Sequence, residues 1–215
     1  VIAGLKGVGA QRCADDLRRA VRHRDHGRGD VCRLRADRAA DDEMGLPGRG
    51  GGVIGETAMS KDARFWNRFA RRYAASQIRD PEGYERTLAR TAQLIGGARS
   101  VLEIGCGTGT TALRLAPSVG QLVATDISPA MITIAREKAA EQGCSNVDFA
   151  VAAPEEVVQP DQGFDAVLAF NVLHLLRDEA AALRHLHLLL KPGGLLISKT
   201  PCLAELNVFI RLAIP

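Results

Sequence analysis

In Val101–Thr110, VLEIGCGTGT, an apolar run closes on Glu103, and glycines then occupy every second position: Gly105, Gly107 and Gly109. An acid at the end of a strand can receive a cation or N–H donors. Glycines can adopt positive φ and let a ligand press against main chain. A second acid, Asp126, ends the next apolar run, QLVATDIS, 21 residues after Gly105. A carboxylate there can accept hydrogen bonds from two ribose hydroxyls. A glycine-rich turn with an acid one strand later reads as a nucleoside site. The dinucleotide spacing G-x-G-x-x-G fails from Gly105, where Thr110 takes the last place. It passes in relaxed form from Gly107, with Ala112 last. Glu103 would face a pyrophosphate repulsively, whereas it suits a ligand that carries an ammonium.

These residues need elements that bring them together. Residues 62–79 and 81–95 read as helices punctuated by Pro81 and Gly83. Short apolar strands are expected at 100–105, 121–128, 146–151, 164–171 and 195–201. Helices are expected at 110–117, 129–143 and 178–190, with KPGG (191–194) as a turn before the last strand. Pro129 and Gly143 frame one helix in the usual asymmetry. FDAVLAFN is apolar almost throughout, as a strand buried on both faces is. Strand–helix alternation with short links predicts an α/β fold, a Rossmann-like, doubly wound, mostly parallel sheet with helices on both faces. In such sheets ligands sit at the carboxyl ends of the strands.

Bulk properties bound the rest. The 215 residues carry a formal net charge of +3 and 46% apolar side chains, enough for one domain plus a tail. That balance makes no general case for nucleic acid or an anionic membrane as partner. No apolar run approaches the roughly 20 residues of a membrane span. Five scattered cysteines without C-x-x-C suit reduced thiols in the cytoplasm, and the histidines show no metal spacing, so no metal site is expected. Residues 1–58 hold 11 of the 22 glycines and no Phe, Trp or Tyr. They read as disordered or as a non-native upstream segment, with Met59 as the start of a domain over 59–215; a basic RNA-binding arm is the alternative. Deleting them is expected to leave the melting temperature unchanged.

VLEIGCGTGTTALRLA, VATDISPAMITIAREKA, FDAVLAFNVLHLL and LLKPGGLLISKTP resemble the successive motifs of class I S-adenosylmethionine-dependent methyltransferases, more narrowly the small-molecule branch with ubiquinone/menaquinone-type (methyltransferase type 11-like) enzymes. The resemblance runs over about residues 62–201. It implies S-adenosyl-L-methionine as cofactor and a small-molecule methyl acceptor. It also implies roles: Glu103 on the methionine ammonium, Gly105, Cys106 and Gly107 as main chain against methionine and ribose, Asp126 on the ribose hydroxyls. Ile127 would lie against adenine, or serve as plain core. Asn171 would meet the methionine end through its backbone. Gly109 serves either the loop or helix packing, and Cys106 is a small filler rather than a nucleophile.

One position departs from the family. Where an acid usually accepts the adenine amino group, VAVAAPEEV places Ala153, leaving Glu155, Glu156 or a backbone group to serve. His174, three residues past Asn171, is the candidate base for an acceptor that must lose a proton, or else a histidine packed among leucines. Tyr73, with Phe65 and Trp66, lies on a helix that in this family closes over the cofactor, so Tyr73 is a candidate substrate or lid residue. The acceptor, the transferred-to atom and the oligomeric state are not written in the sequence. The resembled sheet has seven strands, the seventh antiparallel beside the fifth. Five are legible here, followed by the start of a helix at 203–215, so the chain reads as C-terminally truncated with 195–201 as an unpaired edge. A non-catalytic S-adenosylmethionine-binding fragment and, less favoured by Glu103, a NAD(P)-dependent oxidoreductase are the competing readings.

Overall fold

The computed structural model describes residues 60–200 and the backbone of a short strand before them. The elements, in chain order, are β1 (Cys32–Arg35), α1 (Lys61–Ala74), α2 (Pro81–Ile95), β2 (Ser100–Ile104), α3 (Thr110–Leu115), β3 (Gln121–Asp126), α4 (Pro129–Glu141), β4 (Val147–Val151), β5 (Phe164–Phe170), α5 (Glu179–Leu189) and β6 (Leu190–Lys199). Strands β2 to β6 are mutually parallel, and the sheet order is β1-β6-β5-β2-β3-β4. The chain therefore steps outward from β2 to β4 and then returns to the other side of β2. This places the switch in strand order between β2 and β5, where the crevice of a doubly wound sheet opens.

Alternation along the strands builds two cores. Val101, Leu122, Ala124, Ala166, Leu168 and Ile197 share the cluster that takes in Leu88 and Ile95 of α2, Leu115 of α3 and Ile132 of α4. Leu102, Ile104, Val167, Ala169 and Leu196 pack with Leu183, Leu186 and Leu189 of α5. Successive strand residues point to opposite faces, so Glu103 sends its side chain to the same face as Val101. It is the buried acid of an otherwise apolar layer.

Most expected elements are present, with three differences. The first helix ends at Ala74 rather than 79, its last turn closed by the Ser76 hydroxyl donating to the Tyr73 carbonyl at 2.7 Å, and Asp80 then caps α2. KPGG is not a turn before the last strand: β6 begins at Leu190, pairs with Phe164, and carries the irregularity with Gly193 at φ +76°. The expected open edge is also corrected. Cys32–Arg35 pair antiparallel with β6, Cys32 opposite Ser198 and Arg35 opposite Leu195. A strand from early in the chain thus takes the antiparallel position that the resemblance assigns to one from the end, and the described sheet has six strands. The helix expected at 203–215 lies outside the described residues.

Candidate active site

The loop after β2 is shaped by three left-handed glycines, Gly105 at φ +63°, Gly107 at +54° and Gly109 at +74°. They serve different ends. A Cβ on Gly109 would stand 2.8 Å from Ala135 of α4 and from Phe149 of β4, so this glycine seats the loop on its neighbours. A Cβ on Gly105 would strike Val172, just past β5, at 2.5 Å. Gly107 is different: its open side meets only the Tyr73 ring, at 3.5 Å. Lys138 of α4 clamps the loop from outside, donating to the Thr108 and Thr110 hydroxyls at 3.0 and 3.1 Å.

Two acids converge on this loop. Asp126 accepts from the Gly107 N–H and the Ser128 N–H, each at 2.9 Å. Burial pushes its carboxyl above the usual range, opposed by those two donors. Glu103 is buried, with Oε2 lacking a partner among the described residues. Its pKa is raised to about 8, first by desolvation and then by the negative charge of Asp126. Burial pushes the Tyr73 and Tyr84 phenols up, aided by the charge of Asp126 at Tyr73 and of Glu103 at Tyr84. A buried carboxylate with no cation beside it is expensive unless a ligand brings one. The pairing of Glu103 with an open glycine turn is thus a cradle for a cationic group, and the site fits the ammonium end of S-adenosylmethionine.

The remaining expected residues fall around this centre. The Cys106 thiol is buried, raised well above its usual value by desolvation, and among the described residues bonded only to the neighbouring Gly107 carbonyl at 3.7 Å, which fits a filler. Ile127 is half-buried and outside both cores. Asn171 is exposed and, among the described residues, is the one non-glycine residue with positive φ, 56°; its N–H donates to the Lys199 carbonyl at 2.7 Å. His174 follows in a short 3-10 turn, half-buried, with Nδ1 unpartnered among the described residues and burial lowering its pKa. The Ala153 N–H donates to Glu156 Oε2 at 2.7 Å, so that oxygen of Glu156 caps its own turn.

Sequence reasoning missed four contributors. Tyr84 meets Thr111 across 3.2 Å, and Val172 lies over Gly105. Asn67 of α1 accepts from the Ser128 hydroxyl at 2.6 Å and from the Ala130 N–H at 3.0 Å, tying α1 to the segment that follows Asp126. Lys138 completes the loop. Only Ser128-Pro129 carried a local signal, a helix cap beside the acid; the other contacts join elements distant in sequence.

Comparison with known proteins points the same way. Residues 101–194 match the family model described as a methyltransferase domain. The chain is 36% identical over 117 residues to a ubiquinone biosynthesis O-methyltransferase of Xanthomonas axonopodis pv. citri, covering 52% of this chain and 48% of that one. It is 38% identical over 101 residues to the ubiquinone/menaquinone biosynthesis C-methyltransferase UbiE of a Marinomonas species, covering 45% and 40%. The chain thus spans less than half the length of these two relatives. Among solved structures it is similar to the N-methyltransferase NodS of Bradyrhizobium japonicum in complex with S-adenosyl-L-homocysteine, with TM-score 0.52 and 25% identity, covering 62% and 71%. It is also similar to the [4+2]-cyclase SpnF, with TM-score 0.51 and 32% identity, covering 54% and 44%.

Proposed function

We propose that this chain, whose residues 101–194 form a methyltransferase domain of the class I type, transfers a methyl group from S-adenosylmethionine to a small-molecule acceptor. The observation that carries the reading is Glu103: a buried acid with an oxygen unpartnered among the described residues, on the strand that leads into the glycine loop, with Asp126 one strand away. Bound S-adenosylmethionine supplies an activated methyl on a sulfonium, so the protein's task is placement in a dry site rather than activation.

The residues divide that task. Glu103 holds the ammonium, Gly105 to Gly107 present main chain, and Asp126, already oriented by two backbone donors, offers its carboxylate to the ribose hydroxyls. Ile127 lies against the adenine, and Asn171 faces the methionine end. Ala153 leaves the adenine amino group to a backbone acceptor, to Glu155 or to the second oxygen of Glu156, whose Oε2 is engaged. Tyr73 walls the mouth opposite Gly107. His174, held neutral by burial, is the group able to take a proton from an acceptor that must lose one. Residues 59–215 carry all of these site residues, and the location is cytoplasmic. The relatives named for quinone biosynthesis support a small organic acceptor, without choosing among oxygen, nitrogen and carbon as the attacked atom.

Calorimetric titration of the full chain with S-adenosylhomocysteine and, separately, with NAD tests the reading. Binding of the first alone is expected. Binding of NAD alone would replace it with the oxidoreductase reading, and binding of neither would remove the site.

A further inference from the structure

Helix α1 is polarised in a way that the cofactor site does not use. Its 14 residues, KDARFWNRFARRYA, contain five basic side chains and one acidic one. The domain from 59 to 215 as a whole carries 17 basic against 16 acidic residues. Positive charge is therefore concentrated on this helix rather than spread over the surface.

Helical spacing sorts the side chains into three strips. Ala63 and Ala70 are buried, and Asn67 bonds to the start of α4, so this strip docks. Phe65, Phe69 and Tyr73, four apart, form one flank, whose Tyr73 faces Gly107 of the glycine loop. Phe65 is 39% and Tyr73 50% exposed. Arg68, Arg71 and Arg72 occupy the opposite flank and the outer crest, all exposed. An amphipathic helix with aromatic residues beside arginines is the composition that lies in a lipid interface, rings at the acyl boundary and cations among the headgroups. No helix among the described residues is long and apolar enough to cross a membrane, so the contact would be a surface one.

We propose that α1 is a docking face for an anionic phospholipid surface, holding the mouth of the site against the bilayer. Charge complementarity selects this occupant. A second copy docked across a two-fold axis would bring the arginine crests together. Phe65 packs on Trp66 with ring centroids 5.3 Å apart, and Trp66 on Tyr73 at 6.4 Å, making one apolar ridge rather than separate platforms for nucleic-acid bases. The docking itself uses none of the acids of the site; that it brings the mouth of the site to the bilayer rests on the proposed function.

Flotation of the full chain with vesicles tests it. Binding is expected to mixed phosphatidylcholine–phosphatidylglycerol vesicles, not to phosphatidylcholine alone, and is expected to fall as salt rises. At about five-fold in partitioning per basic residue near such a surface, the double variant Arg68→Glu/Arg72→Glu loses roughly 25-fold or more. Arg68→Lys/Arg72→Lys keeps its binding. Melting temperature and S-adenosylhomocysteine binding are read alongside; if charge reversal unfolds the chain, Arg68→Gln/Arg72→Gln takes its place. Failure of the wild-type chain to float with the anionic vesicles overturns the proposal. So does unchanged flotation of a folded charge-reduced variant, capture of a single-stranded oligonucleotide without vesicle binding, or dimerisation through α1 in sedimentation that masks it.

Discussion

Glu103 shows how one buried side chain ties stability to pH. Its folded pKa of about 8 lies above the ordinary 4.5, so the folded state holds the proton more tightly than the unfolded chain. Stability therefore falls as pH rises from the ordinary value through about 8, by at most about 5 kcal/mol for this interval. Glu103→Gln should flatten the dependence of melting temperature on pH in that window and weaken S-adenosylhomocysteine binding; melts across pH that keep the wild-type slope would clear Glu103 of the effect. Asp126→Asn keeps the shape but loses the charge, and should weaken the same ligand by about 1.5–3 kcal/mol in calorimetry, the scale of hydrogen bonds to a charged group. His174→Gln separates chemistry from binding. If the acceptor must lose a proton, turnover should fall about 100-fold or more with ligand affinity unchanged. Because burial holds His174 below its ordinary pKa, wild-type activity should fail only on the acid side of the usual histidine range. Equal turnover in the variant would return His174 to the packing role.

At the scale of elements, the site is assembled by helices gripping loops. Gly109 and Lys138 lock the glycine loop to α4, and Asn67 locks α1 to the first turn of the same helix. An exposed ion pair, Arg177 to Asp62 at 3.0 Å, ties α1 to the segment after β5 and adds little in water. The Asn67 anchor matters more, because Ser128 is fully buried and its hydroxyl donates to Asn67. Asn67→Ala should cost about 1–3 kcal/mol, the penalty for stranding a buried donor. It should also raise hydrogen exchange along α1 while leaving β2 and β5 protected. Uniform loss of protection would mean that α1 is not a separately docked element.

For the whole molecule, the outer side of β6 is decisive. A parallel strand with free N–H and C=O groups on one side is a template for association. Cys32–Arg35 cover four positions of it. Deleting residues 1–58 removes that cover, so the expectation of an unchanged melting temperature no longer follows. The truncated chain should melt lower and scatter light sooner on standing. Identical melting and scattering curves would show that β1 contributes nothing in solution.

The sequence by itself determined the parallel core and the place of its glycine loop in it. Apolar runs of five to seven residues, glycines at two-residue spacing and acids at strand ends are local patterns, and each constrains its own backbone. On that ground Glu103, Gly107 and Asp126 were legible before any coordinates, and so was the absence of an acid at Ala153. The span of β6 was not, because the pairing of Leu190 with Phe164 overrides the turn preference of KPGG. Nor were Tyr73's place over Gly107, the Asn67 anchor or the strand on β6 fixed by their surroundings in the chain. Residues 32–35 carry no strand period strong enough to stand alone, and Asn67 differs in no local way from any other polar helix residue. Those roles depend on partners 30 or more residues away, and a contact of that range exists only once the fold has brought both ends to the same place.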